Sequence, residues 1–173
     1  MNWTYRLTVE QEALAARIGY ERQLPYLGKP ERNRNYSEGD IWEIWQHAIA
    51  AGAEIAAAEL LGVRNFIPHV NVFKSRQDIP GYEVRYAFST QRGHSLRYSA
   101  KVDNKEEIYI LLAGGPEQRT RRTAEDNYEG PAYYALGWLY GYECEQPQYL
   151  YQGHSYYVPW RDLNPMESLP RVP

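Results

Sequence analysis

The chain has 173 residues, 43% of them apolar, and one cysteine; that is enough for one domain with an ordinary core and excludes an intramolecular disulfide. No run approaches the roughly 20 apolar residues of a membrane helix, and Met1 to Arg6 lack a basic-then-apolar signal pattern, so a cytoplasmic location is expected. With 19 basic against 22 acidic side chains the net charge is −3, which argues against strong nonspecific adhesion to nucleic acid but permits a local basic face.

Thr8-Val9-Glu10-Gln11 has the spacing of a capping box and predicts a helix to about residue 22, with Leu14, Ala15 and Ile18 buried. Residues 25–40 read as a loop rich in proline, glycine and polar side chains. Ser37 through Asp40 is expected to cap a second helix that runs to about Leu61 and stops at Gly62. Ile41, Trp45, Ala48, Gly52 and Ile55 form its apolar face.

Beyond Gly62 the period becomes two. Val70, Val72 and Phe73 suggest a strand. Residues 82–88 predict another, with Tyr82, Val84, Tyr86 and Phe88 on one face and Glu83, Arg85 and Ala87 on the other. Pro80-Gly81 marks a turn before it. Further strands are expected at 95–101, at the continuous apolar run Ile108 to Ala113, at Tyr133 to Tyr142 and at 154–158, with a helical turn from Leu163 to Leu169. Gly114 to Gly130 reads as a long polar loop. This order predicts an α/β fold, with α+β as the alternative, and a mixed central sheet flanked by helices. The expected organisation is a single domain over 1–173: an N-terminal helix and loop (1–36), a core (37–142), and a C-terminal strand and helical turn (143–173).

Two segments carry candidate chemistry. From Ala48 to Ala58 ten of eleven positions are apolar or glycine, and Glu54 is the exception. A helix apolar all round is usually buried all round, so its carboxylate needs a cation, a metal or a proton. In Asp78-Ile79-Pro80-Gly81-Tyr82-Glu83-Val84-Arg85, Glu83 and Arg85 are two apart and leave the same strand face, with Asp78 across the turn. Hard ions such as Mg²⁺ take one or two carboxylates and keep several waters. Cys144, between Glu143 and Glu145, has neighbours that disfavour a thiolate and reads as structural. The four histidines are too dispersed for a zinc site.

A helix bearing a Glu, then Asp, a turn and Glu-Val-Arg on a strand resembles the PD-(D/E)XK, or restriction-endonuclease-like, nuclease superfamily over roughly residues 40–142. Gly137-Trp138-Leu139-Tyr140-Gly141 is similar to a strand of restriction-type and phage-encoded members. The resemblance implies a restriction-endonuclease-like core and a Mg²⁺- or Mn²⁺-dependent phosphodiesterase acting on DNA or RNA, of phage or mobile-element type. It implies Asp78, Glu83 and Glu54 as metal ligands, and Glu54, Asp78, Glu83 and Arg85 as the catalytic set. Arg85 stands where the family has Lys; it stays protonated and cannot act as a base, but can stabilise a charged transition state. Lys74 and Lys101 are other sources of an amine. Lys74, Arg119, Arg121 and Arg122 are the expected phosphate contacts. The alternative is a catalytically inactive protein on the same scaffold that binds nucleic acid or a host protein.

Overall fold

A computed structural model describes residues 3–27, 39–70, 77–87, 94–114 and 130–172. Three layers make up this mixed helix-and-sheet architecture: two helices, a four-stranded sheet, and a three-stranded sheet on the far side.

The helical layer follows the sequence closely. Helix α1 (Val9–Gln23) begins at Thr8, whose hydroxyl accepts from the Gln11 N–H while the Gln11 side chain accepts from the Thr8 N–H. Helix α2 (Asp40–Leu60) starts after Gly39 and is buried without interruption from Ala51 to Ala58. The small residues let the two helices approach: a Cβ on Gly19 would lie 2.5 Å from the Ala48 nitrogen. Ile41, expected on the apolar face, is instead 83% exposed. Ser37 of the expected cap lies outside the described residues. No described helix is long and apolar enough to cross a membrane.

Strands β1 (Thr4–Arg6), β2 (Tyr82–Tyr86), β4 (Ile108–Gly114) and β5 (Ala132–Tyr140) form the main sheet in the order β1-β5-β4-β2. The β2–β4 pair is parallel and the other two are antiparallel, so the sheet is mixed. Alternation sorts its side chains. Tyr82, Val84, Ile108, Ile110 and Leu112 pack with α2, whereas Tyr109, Leu111 and Leu139 face the second sheet. That sheet, in the order β3-β7-β6, contains β3 (Ser95–Ser99), β7 (Ser155–Pro159) and β6 (Leu150–Gln152). Its inner face supplies Leu96, Tyr98 and Val158.

Strands β3 and β5 end earlier than expected. Strand β3 stops at Ser99, because the chain turns there to bring Asp103 back onto it. Strand β5 stops at Tyr140 and a short helix, α3 (Gly141–Cys144), follows, with the Glu143 carboxylate accepting from the Tyr140 N–H. The expected strand after Pro68 falls mostly on residues outside the description. The C-terminal segment returns across the sheet: the Trp138 indole donates to the Pro165 carbonyl, and the Tyr82 hydroxyl donates to the Pro170 carbonyl (2.7 Å).

Candidate functional site

The start of β2 is fixed by a tight turn. Ile79 and Tyr82 exchange backbone hydrogen bonds around Pro80-Gly81, and Gly81 adopts φ +88°, a conformation only glycine reaches without strain. The Gln77 side chain accepts from the Gly81 N–H (2.6 Å), and the Asp78 carboxylate accepts from the Val84 N–H (2.9 Å). Asp78 is thereby held beside the strand that carries Glu83 and Arg85.

Glu83 and Arg85 leave the face of β2 turned away from the helices. One Glu83 oxygen pairs with Arg85 Nη1 at 3.2 Å, and Asp103 Oδ1 pairs with Nη2 at 2.9 Å. Tyr109, directly opposite Glu83 on β4, lies under the guanidinium, whose Cζ is 5.0 Å from the ring centroid. Asp103 is itself anchored, its second oxygen accepting from the Ser99 N–H at 2.8 Å. Three carboxylates, Asp78, Glu83 and Asp103, therefore act on one arginine.

The electrostatics follow from this crowding. Burial first, and then the charge of Asp78, push the Glu83 carboxyl up to about 7, with Glu107 adding to the effect and Arg85 opposing it. Burial works against the charge on Arg85, but Asp103, then Glu83 and Asp78, hold it protonated above its ordinary value. Arg85 is thus a fixed cation and not a base.

Glu54 occupies a different setting. It points from α2 on the helix side of the main sheet and receives both terminal nitrogens of Arg22, each at 2.8 Å. Arg22 is 4% and Glu54 5% exposed, and the Arg22 Nε donates to the His69 carbonyl. Burial pushes the Glu54 carboxyl up to about 7 against the hydrogen bonds from Arg22. The charges of Asp78 and Arg85 reach it, but its oxygens are taken by Arg22. The structure thus gathers Asp78, Glu83 and Arg85 around β2, while Glu54 is paired with Arg22 within reach of the Asp78 and Arg85 charges. Among the described residues, no three His, Cys, Asp or Glu side chains form a group that could hold a metal ion.

Lys74, Arg119, Arg121 and Arg122 lie outside the described residues. Lys101 is exposed in the turn after β3. Cys144 is buried, its thiol within 3.6 Å of the Tyr140 carbonyl, and burial followed by the Glu143 charge pushes it up to about 12, so it is no nucleophile. Sequence reasoning missed Arg22, Asp103 and Tyr109. Arg22 continues the Ala15–Ile18 stripe at helical spacing, a signal that it is buried. Nothing local announces that Asp103 meets an arginine 18 residues earlier.

No protein-family model, curated protein or solved structure matches the chain.

Proposed function

We propose that this chain is a metal-dependent phosphodiesterase acting on DNA or RNA, of the PD-(D/E)XK type carried by phages and mobile elements and working in the cytoplasm. The observation that carries the reading is the Asp78-turn-Glu83-Val84-Arg85 segment, in which two carboxylates are close enough for one to raise the pKa of the other beside a buried arginine. Carboxyls shifted by burial and a neighbouring charge are candidates for a functional site, because catalytic and metal-binding groups need such tuning. The helix bearing Glu54, packed on a mixed sheet whose strand β2 carries Glu83 and follows the turn after Asp78, is compatible with a restriction-endonuclease-like core.

The donor set fits a hard divalent ion. Mg²⁺ and Mn²⁺ accept oxygen ligands and need only one or two protein carboxylates, which Asp78 and Glu83 provide. Such an ion, when bound, supplies positive charge at the phosphate and acidifies water. Hydrolysis adds water across a P–O ester bond: its oxygen goes to phosphorus, one proton to the leaving oxygen and the other to solvent. Arg85 contributes fixed positive charge for the phosphate oxygens, and Asp78 and Glu83 orient what binds between them. Lys74, Arg119, Arg121 and Arg122 are proposed to hold the flanking backbone. Glu54, given as a metal ligand by the family resemblance, is better accounted for as the partner of Arg22.

The internal pairing of Arg85 with both Glu83 and Asp103 favours a second reading, in which the scaffold binds nucleic acid or a host protein without cleaving. One assay separates the two: incubation with single- and double-stranded DNA and RNA in Mg²⁺ or Mn²⁺, comparing wild type with Glu83→Ala. Cleavage lost in the variant supports the enzyme. Retention by a nucleic-acid or protein partner with no cleavage in either protein supports the binder.

A further inference from the structure

Arg85 has two carboxylate partners, and they are not equivalent. Glu83 offers one oxygen at 3.2 Å from the same strand. Asp103 offers an oxygen at 2.9 Å and is pinned by its second oxygen to the Ser99 N–H. The turn that carries it is closed by two more bonds, from the Val102 and Asp103 N–H groups to the Ser99 carbonyl. Tyr109 holds the guanidinium from below, and its hydroxyl is locked by the backbone of Asn104, the residue after Asp103. Two anchored contacts therefore hold Arg85 at the β3 turn, and one longer contact joins it to Glu83.

We propose that Asp103 is a positioning residue: by holding the Arg85 guanidinium at the β3 turn it keeps Glu83 available to a divalent cation. This rests on the phosphodiesterase reading above. A carboxylate that must accept a metal cannot also be the main partner of a buried arginine, since the two cations compete for the same oxygens. Without the Asp103 charge, Arg85 turns to Glu83, the nearest remaining anion on its own strand, and the cation is excluded. Asp103 thereby acts through Arg85 and touches neither metal nor phosphate.

The test is a double-mutant cycle read by Mn²⁺ titration calorimetry on nucleic-acid-free protein, with thermal unfolding as the check on folding. Asp103→Asn, which keeps the acceptor for Ser99 but not the charge, is expected to weaken Mn²⁺ binding about tenfold, within the range shown by coupled neighbours. In an Arg85→Gln background the same change is expected to alter affinity less than about twofold, because the competitor is gone. Asp103→Glu, which keeps the charge, restores part of the affinity and serves as the reference if Asp103→Asn fails to fold. In that case, an Asp103→Glu loss of affinity that is smaller in the Arg85→Gln background than in the wild-type background supports the proposal, and affinity lost equally with and without Arg85 overturns it. Unchanged affinity in Asp103→Asn, or an equal loss in both backgrounds, overturns the positioning role and leaves the phosphodiesterase reading standing. Wild-type protein that takes up no Mn²⁺ and cleaves no nucleic acid overturns that reading, and this inference with it.

Discussion

Glu54 and Arg22 give the sharpest energetic test, because they are the buried ion pair of the helical layer and the assignment of Glu54 turns on them. Removing one member of such a pair strands the other charge in an apolar surround, at a cost of about 3–5 kcal/mol. Here the stranded group after Glu54→Leu is Arg22, 4% exposed, with two nitrogens that had been 2.8 Å from carboxylate oxygens. For a chain of this size each kcal/mol moves the melting temperature by about 2–4 °C, so the expected drop is about 6–20 °C. Replacing both, as Arg22→Met with Glu54→Leu, removes the stranded charge along with its partner. What remains is the His69 carbonyl without its Arg22 donor, a loss of about 1–3 kcal/mol. The double variant should therefore recover a large share of the stability lost by the single one, measured by urea or thermal unfolding. A single variant within about 1 kcal/mol of wild type, or a double variant as unstable as the sum of both singles, would refute the reasoning. The same double variant also tests function. Cleavage that survives in it places Glu54 in the scaffold, whereas cleavage lost from a well-folded double variant returns Glu54 to the metal site.

Three further outcomes follow from the geometry. Glu83 has a carboxyl raised to about 7 in the folded chain, so between about pH 4.5 and 7 the native state keeps a proton that the unfolded state has released. Raising the pH across that window should lower the stability of the metal-free protein, and Glu83→Gln should flatten the decline; an increase in stability over the same window would contradict the assignment. Gly81→Ala places a Cβ where φ is +88° and 2.6 Å from Val172 Cβ, and should cost about 1–3 kcal/mol. Unfolding midpoints that do not move would show that the turn before β2 tolerates an L side chain. Cys144, buried and held as a thiol, should react with iodoacetamide at pH 8 only after denaturant is added. Rapid labelling of the native chain would contradict its burial.

Local chemistry was legible from sequence and long-range pairing was not. The Thr8–Gln11 capping box, the Pro80-Gly81 turn, the alternation of Tyr82 to Tyr86 and the apolar run of β4 each depend on neighbours within a few residues, and each is realised. The alanine-rich stretch of α2 was legible as buried for the same reason, and Glu54 was singled out within it as a carboxylate in need of a cation, a metal or a proton. Which cation was not legible, because Arg22 lies 32 residues away on another helix. Strand β1 escaped notice because three residues carry no period and gain order only by pairing with β5. The partner of β2 was equally hidden: the next strand in sequence, β3, joins β7 in the second sheet, and β2 pairs in parallel with β4. The strand expected from Tyr133 to Tyr142 ends at Tyr140. The chain turns instead, as the Gly141 N–H bonds to the Glu107 carbonyl and the two tyrosine rings stack.

The pairing of Asp78 with Glu83 as a cation-binding site is tested most directly by Mn²⁺ titration calorimetry of the wild-type chain against Asp78→Asn/Glu83→Gln, a variant that keeps the shapes and removes the charges. One bound ion in the wild type, absent from the variant and tightening as the pH rises through about 7, is the predicted result. Equal uptake by both proteins, or none by the wild type at any pH in that range, would contradict it.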